Sequence, residues 1–250
     1  MRVGKYKNFN NFYFMKKLLL MLSLICVPVM ASDYSVYRPD NFKYSPDSGE
    51  MTLFILDFSN SMTEYLEGVS KLDLMLDTMR QILPSIDPNS RVGLRVYGHK
   101  MGFTPIEACR ASALVVPVTR SNSVNIMNSL ASVKPRGMTP ITFSLKEAVK
   151  NDFIGFTGKK HIILLTDGGE NCDESPCKYV MELIKVRKDI SIDVIAFNID
   201  NPDDLDQLEC TALVTSGKFY TANTAAELAK SLNNSLNVHK EVEAKIIPNP

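Results

Sequence analysis

Glu50-Met51-Thr52-Leu53-Phe54-Ile55-Leu56-Asp57-Phe58-Ser59-Asn60-Ser61 is an apolar run that ends on a carboxylate and then sets two hydroxyls at alternate positions. A continuous apolar run over 52–56 is what a strand buried on both faces requires. Further along, 162–165 is a second fully apolar run, again closed by a carboxylate in Thr166-Asp167-Gly168. Between and beyond these runs the pattern alternates. Leu66, Val69, Leu72, Leu76, Met79 and Leu83 recur every three or four residues, which predicts a helix from Leu66 stopped by Pro84. Residues 91–97 and 114–118 read as strands, the latter placed at a sheet edge by Pro117. Val124, Met127 and Leu130 predict a helix, and 141–149 a second. After the run at 162–165 come a helix at 179–186, a strand at 192–197, a helix at 205–214 and a short strand at 218–221. Thr224 and Glu227 form a capping box that opens a last helix to about Leu236. Such alternation over about 185 residues is the pattern of an α/β protein, a parallel sheet with helices on both faces. Ligands in such sheets bind beyond the carboxyl ends of the strands. The residues after Leu56 and Leu165 are therefore the place for chemistry.

With 250 residues and 45% apolar content, the chain can bury one sizeable core. Of its 28 basic residues, five (Arg2, Lys5, Lys7, Lys16, Lys17) lie within residues 1–31, which hold no acid. That leaves 23 against 28 acidic ones, a net of about −5. A mildly acidic body lacks the basic face that nucleic-acid binding needs. Lys16 and Lys17 precede a 13-residue apolar stretch at 18–30 that ends at Ala31, the pattern of a secretory signal cut before Ser32. A membrane span would need ~20 apolar residues. Met15 opens this signal better than Met1 does, and Ile25 is too bulky for lipid attachment at Cys26. The export signal is thus the chain's only expected membrane contact, and the expected location is the periplasm, the cell envelope or the medium. Residues 32–49 read as an extended polar segment. Residues 237–250 form a short tail, either the start of a further domain or a plain end. Beyond the signal, Cys109, Cys172, Cys177 and Cys210 are an even set, which in an exported chain favours two disulfides in one of three connectivities. The scattered His99, His161 and His239 and the lack of a close cysteine pair make a zinc site weak.

Either loop alone reads as helix capping by Asp and Ser. Together, two carboxylates in one low-dielectric crevice, with no Lys or Arg in either loop, would repel each other. A bound cation removes that cost, and an oxygen-only set of Ser and Asp suits a hard ion such as magnesium. An aspartate after a buried first strand also begins haloacid-dehalogenase-like phosphoryl-transfer sites, which would make Asp57 a nucleophile. That pattern needs a second aspartate two residues on, where this chain has Ser59. Residues 155–160 are similar to a phosphate-binding loop with the wrong spacing and no following Ser or Thr, so no nucleotide is expected. No GxSxG or HExxH occurs, and the chain reads as a non-enzyme.

Asp57-x-Ser59-x-Ser61 after an apolar strand resembles the signature of the von Willebrand factor type A domain with its metal-ion-dependent adhesion site. Arg136-Gly137-Met138-Thr139-Pro140 resembles the family's threonine loop, and Leu165-Thr166-Asp167-Gly168 its aspartate after the fourth strand. The resemblance covers residues 50–236. It implies a three-layer, doubly wound, mostly parallel six-stranded sheet with one antiparallel edge strand, in the order 3-2-1-4-5-6. It also implies that Ser59, Ser61 and Thr139 ligate Mg2+ or Mn2+ directly, with Asp57 and Asp167 acting mainly through bound waters. An open coordination position would accept an Asp or Glu of a protein partner. Tyr97, Gly98, His99 and the loop up to Cys109 would lie on the same rim, with Lys100 and Arg110 available to an acidic partner. By the implied strand order, Cys109 is too far from Cys210 to be bridged. The favoured pairing is Cys109–Cys172 with Cys177–Cys210, over the local alternative Cys172–Cys177.

Overall fold

A computed structural model describes residues 49–246, with side chains described through residue 237. The expected leader, the polar segment up to residue 48 and residues 247–250 lie outside the described residues. The expected order of elements is present: β1 (Met51–Asp57), β4 (Arg91–Tyr97), β5 (Ser112–Arg120), β6 (Lys160–Thr166), β7 (Ile190–Phe197) and β8 (Phe219–Ala222) form one sheet. Its spatial order is β5-β4-β1-β6-β7-β8, the 3-2-1-4-5-6 arrangement. All neighbours are parallel except the edge strand β5, which runs antiparallel to β4. Pro117 lies within that edge strand, where a missing N–H costs no ladder bond.

Helices α1 (Lys71–Ile82), α3 (Ser123–Leu130) and α7 (Ala225–Ile246) cover one face. Helices α4 (Ile141–Glu147), α5 (Pro176–Val186) and α6 (Pro202–Val214) cover the other, and the four-residue α2 (Pro105–Ala108) lies in the loop before β5. The uninterrupted apolar run of β1 follows from this layering. Phe54 and Leu56 pack with Met75, Met79, Ile126 and Leu228 in one core. Met51, Leu53 and Ile55 pack with Ile141, Leu145, Val180 and Leu208 in the other. Among the described residues no helix is long and apolar enough to cross a membrane.

The elements depart from the expected ones at three places, the first for a local reason. The helix expected from Leu66 starts at Lys71, because Glu67 and Gly68 both adopt positive φ (56° and 83°) and fold 65–70 into a hairpin, β2 (Tyr65–Leu66) and β3 (Val69–Ser70). Positive φ at both central residues is the signature of the tight turns that hairpins favour. Leu66 faces Val69 across this ladder, so their three-residue spacing imitates a helical period. Helix α4 continues into a π-helical turn (Ala148–Asp152), and α7 runs ten residues past Leu236. The expected capping box forms in part: Thr224 Oγ1 accepts the Glu227 N–H, but the Glu227 carboxylate reaches past the cap residue to the Asn223 N–H.

The π-turn delivers a buried charge. Asp152 forms a two-pronged pair with Arg95 of β4 at 2.6 and 2.7 Å, and Arg95 also donates to Ser112 of β5 at 2.9 Å. Removing one partner of a buried pair costs ~3–5 kcal/mol, because the other charge is left uncompensated. Asp152→Ala should therefore lose that much stability in urea unfolding. The double variant Arg95→Met/Asp152→Leu should recover most of it. A loss under 1 kcal/mol in the single variant would show the pair to be unimportant.

Candidate metal centre

The carboxyl ends of β1 and β6 lie side by side, since Leu56 is in register with Leu165, and this brings Asp57 and Asp167 together. Asp57 is fully buried. Its Oδ1 accepts the Ser59 N–H at 2.7 Å, closing the turn that an Asp side chain makes with the backbone two residues on. Its Oδ2 accepts the Tyr97 hydroxyl from β4 and the Thr166 hydroxyl from β6, each at 2.9 Å. Ser59 Oγ and Ser61 Oγ lie 3.0 Å apart, and the Ser61 hydroxyl donates to Asp167 Oδ1 at 2.7 Å. Four of the five candidate residues thus form one connected polar cluster.

Thr139, the fifth, arrives through its backbone. Gly137 bridges to Ser59, the Asn60 N–H donates to the Gly137 carbonyl, and the Arg136 N–H is shared by the Phe58 and Gly98 carbonyls. Glycine is required at two contacts. A Cβ on Gly98, whose φ is +69°, would stand 2.5 Å from Ser59 N, and one on Gly137 would stand 2.5 Å from the Lys100 carbonyl. Thr139 is buried, and its N–H donates to Asn171 Oδ1 at 2.7 Å. Glu170 accepts the N–H groups of Thr142 and Cys172. Cys172 is disulfide-bonded to Cys109 of the rim loop (Cα–Cα 5.5 Å), and Cys177 to Cys210 (5.4 Å), the favoured pairing. The first of these bonds ties loop 98–111 to the segment that holds Thr139.

One residue of the cluster is absent from the sequence reading. Lys71, the first residue of α1, is buried and donates to Asp167 Oδ2 at 3.1 Å and to Glu64 Oε2 at 2.8 Å. The two loops hold no cation, but the hairpin before α1 swings one in from outside them. A lysine in a first helical turn opposes the helix dipole and needs a carboxylate nearby, which was the available signal. Burial alone would lower the Lys71 ammonium, but the Glu64 and Asp167 carboxylates overcome this and hold it above its ordinary value. Burial pushes Asp167 up, partly offset by Ser61 and Lys71. Burial and then the Asp167 charge push Asp57 up to about 6, against the bonds from Ser59 and Thr166. Burial, with the Asp57 charge second, holds the Tyr97 phenol far above its usual range, so it remains a neutral donor. Among the described residues no three His, Cys, Asp or Glu side chains cluster in a way that could hold a metal. The oxygens gathered here come from two carboxylates and three hydroxyl residues.

Residues 53–234 match the von Willebrand factor type A domain. The chain belongs to the von Willebrand factor type A domain family. It is 31% identical over 180 residues to the uncharacterized protein YwmC of Bacillus subtilis (strain 168), covering 70% of this chain and 78% of YwmC. It is 26% identical over 225 residues to YwmD of the same organism, covering 87% and 96%. Among solved structures, its fold is similar to that of proximal thread matrix protein 1 from the mussel byssus with a zinc-occupied MIDAS motif (TM-score 0.59, 19% identity). That match covers 77% of this chain but only 46% of the mussel protein. The fold is also similar to the vWF domain of the type V pili tip protein Mfa5 from Porphyromonas gingivalis (TM-score 0.56, 14% identity, 81% and 98% covered).

The raised Asp57 value has a consequence for the metal-free domain. A folded value of about 6 against an ordinary 3.8 means that the folded state holds this proton more tightly. Its stabilising contribution is present in acid and is lost as the pH rises from about 4 through about 6. Between pH 7 and pH 5 this amounts to ~1.4 kcal/mol, a Tm rise of roughly 3–6 °C on acidification. Melts in chelator should show that rise in the parent and a smaller one in Asp57→Asn, where the raised Asp167 carboxyl still contributes. Equal behaviour of the two proteins would contradict the assignment.

Proposed function

We propose that Asp57, Ser59, Ser61, Thr139 and Asp167 hold a divalent cation, magnesium or manganese, through which the domain captures an acidic residue of a protein partner. The observation that carries this reading is the row Ser59 Oγ, Ser61 Oγ and Asp167 Oδ1, spaced 3.0 and 2.7 Å. Neighbouring ligands of an octahedral ion with bonds of 2.0–2.1 Å lie about 2.9 Å apart, so the Ser59 and Ser61 hydroxyls, 3.0 Å apart, are spaced as two direct ligands, with Asp167 accepting from Ser61 behind them. The donor chemistry fits too, being oxygen only. The cation would supply a positive charge with an exchangeable coordination position. Asp57 would orient water through oxygens fixed by Ser59, Tyr97 and Thr166. Asp167 would divide its two oxygens between the Ser61 edge of the site and Lys71. Asp57, Asp167 and Glu64 against Lys71 leave two negative charges, which a divalent ion balances, so an incoming carboxylate would be drawn by the ion's open coordination position. The zinc-occupied site of the similarly folded mussel protein supports a metal at this place in the fold.

The phosphoryl-transfer alternative is not favoured. Asp57 is fully buried with both oxygens already accepting hydrogen bonds, and Ser59 stands where that chemistry needs a second aspartate. An exported, envelope or extracellular role in adhesion or assembly is supported by the paired cysteines, since such bonds persist in oxidising compartments. It is supported also by the pilus-tip protein among the similar structures.

Titration calorimetry with Mg2+ and Mn2+ tests the reading. One site is expected in the parent. A hundredfold excess over Kd should stabilise the domain by ~2.7 kcal/mol in thermal melts. Ser61→Ala and Asp57→Asn should each weaken binding at least ~10-fold while the protein stays folded. Envelope proteins retained on the immobilised domain should leave with chelator and withstand moderate salt. Absence of divalent binding in folded protein would overturn the proposal.

A further inference from the structure

A cavity of about 260 Å3 opens beside the metal-centre loops, lined by His99, Lys100, Ser132, Val133, Lys134 and Arg136. Its walls grow from backbone that already touches the centre. Gly98 packs on Ser59, Arg136 N–H donates to the Phe58 and Gly98 carbonyls, and Gly137 lies against the Lys100 carbonyl. Three cations therefore surround one opening and no carboxylate lines it. Among the described residues Lys100, Lys134 and Arg136 form no ion pair, whereas Lys71, Arg95, Lys146 and Lys160 are each matched by an acid. His99 adds a buried Nδ1 without a hydrogen-bond partner. Burial and the neighbouring Lys100 ammonium hold this imidazole below its ordinary value, which leaves it neutral at pH 7.

We propose that this cavity is a second anion subsite, which takes a further carboxylate from the same protein segment whose first acidic residue binds the metal. The proposal rests on the metal-mediated reading above and adds to it the chemistry of the partner, an acidic segment rather than a lone Asp or Glu. The reach is short. Lys100 lies two residues from Gly98, which itself contacts Ser59, so cavity and centre are within roughly 10 Å at 3.8 Å per residue. An extended partner rises about 3.3 Å per residue and turns alternate side chains to the same face. The two acidic residues should therefore stand two or four positions apart. The cations are exposed, so the second contact should be modest and salt-sensitive, worth roughly 3- to 10-fold in affinity.

Synthetic extended peptides with one Asp, or with two Asp two or four positions apart, test this in Mg2+ by calorimetry. The doubly acidic peptides should bind about 3- to 10-fold tighter than the single one at low salt. That advantage should vanish in Lys100→Ala/Lys134→Ala and shrink in 0.5 M salt, while Mg2+ binding in the same titrations persists. Equal affinity of all the peptides, or an advantage that survives in the variant, would overturn the subsite and leave the metal reading intact. Failure of Mg2+ itself to bind the parent would instead remove the reading on which the subsite depends.

Discussion

The domain is built around the cost of holding Asp57 and Asp167 side by side out of water. Burying a single carboxylate costs several kcal/mol unless hydrogen bonds or opposite charge replace its hydration. Asp57 meets that requirement from three adjacent strands at once. Its own turn supplies the Ser59 N–H, β4 supplies the Tyr97 hydroxyl and β6 the Thr166 hydroxyl. The strand order β4-β1-β6 is what makes this possible, because a donor must stand on each side of β1 at its carboxyl end. Asp167 is satisfied differently, by Ser61 on one oxygen and by the Lys71 ammonium on the other. What remains is a crevice in which Ser59 Oγ, Ser61 Oγ and Asp167 Oδ1 stand 3.0 and 2.7 Å apart.

The rim follows from the same packing. Close approach of three loops around Ser59 leaves no room for a Cβ at Gly98 or Gly137. Pulled together in this way, the loops are fixed again from outside. Asn171 and Glu170 hold the Thr139 turn, and the Cys109–Cys172 bond joins that turn to the loop after β4. Hydroxyls and amides thus position the cluster, while the cations on Lys100, Lys134 and Arg136 are left at its margin, with no acid paired to them among the described residues.

Much of this was legible in the residues because burial on both faces leaves an unambiguous trace. The runs at 52–56 and 162–165 read as central strands, and the carboxylates closing them pointed to the crevice. Pro117 marked the edge. The resemblance then supplied strand order and, through it, the cysteine pairing. Legibility failed where a short feature imitated a longer one. Leu66 and Val69 are three apart and read as helix, but Glu67-Gly68 is a two-residue turn that sets them opposite each other. That same hairpin hid Lys71. A charge counted from the two loops alone missed an ammonium brought in by the next element. Its position at the positive end of a helix was the one clue that it had a carboxylate to reach. The buried Arg95–Asp152 pair was equally invisible, since Asp152 sits in a π-turn that no periodicity announces.

The most direct measurement of the central claim is a crystal structure of the domain soaked in Mn2+, with anomalous differences collected near the manganese edge. One strong peak is expected within bonding distance of Ser59 Oγ and Ser61 Oγ, beside Thr139 and between Asp57 and Asp167, with Lys71 still on Asp167. A peak elsewhere, or a well-ordered crevice bridged by Lys71 and waters with no anomalous signal at saturating Mn2+, would contradict it.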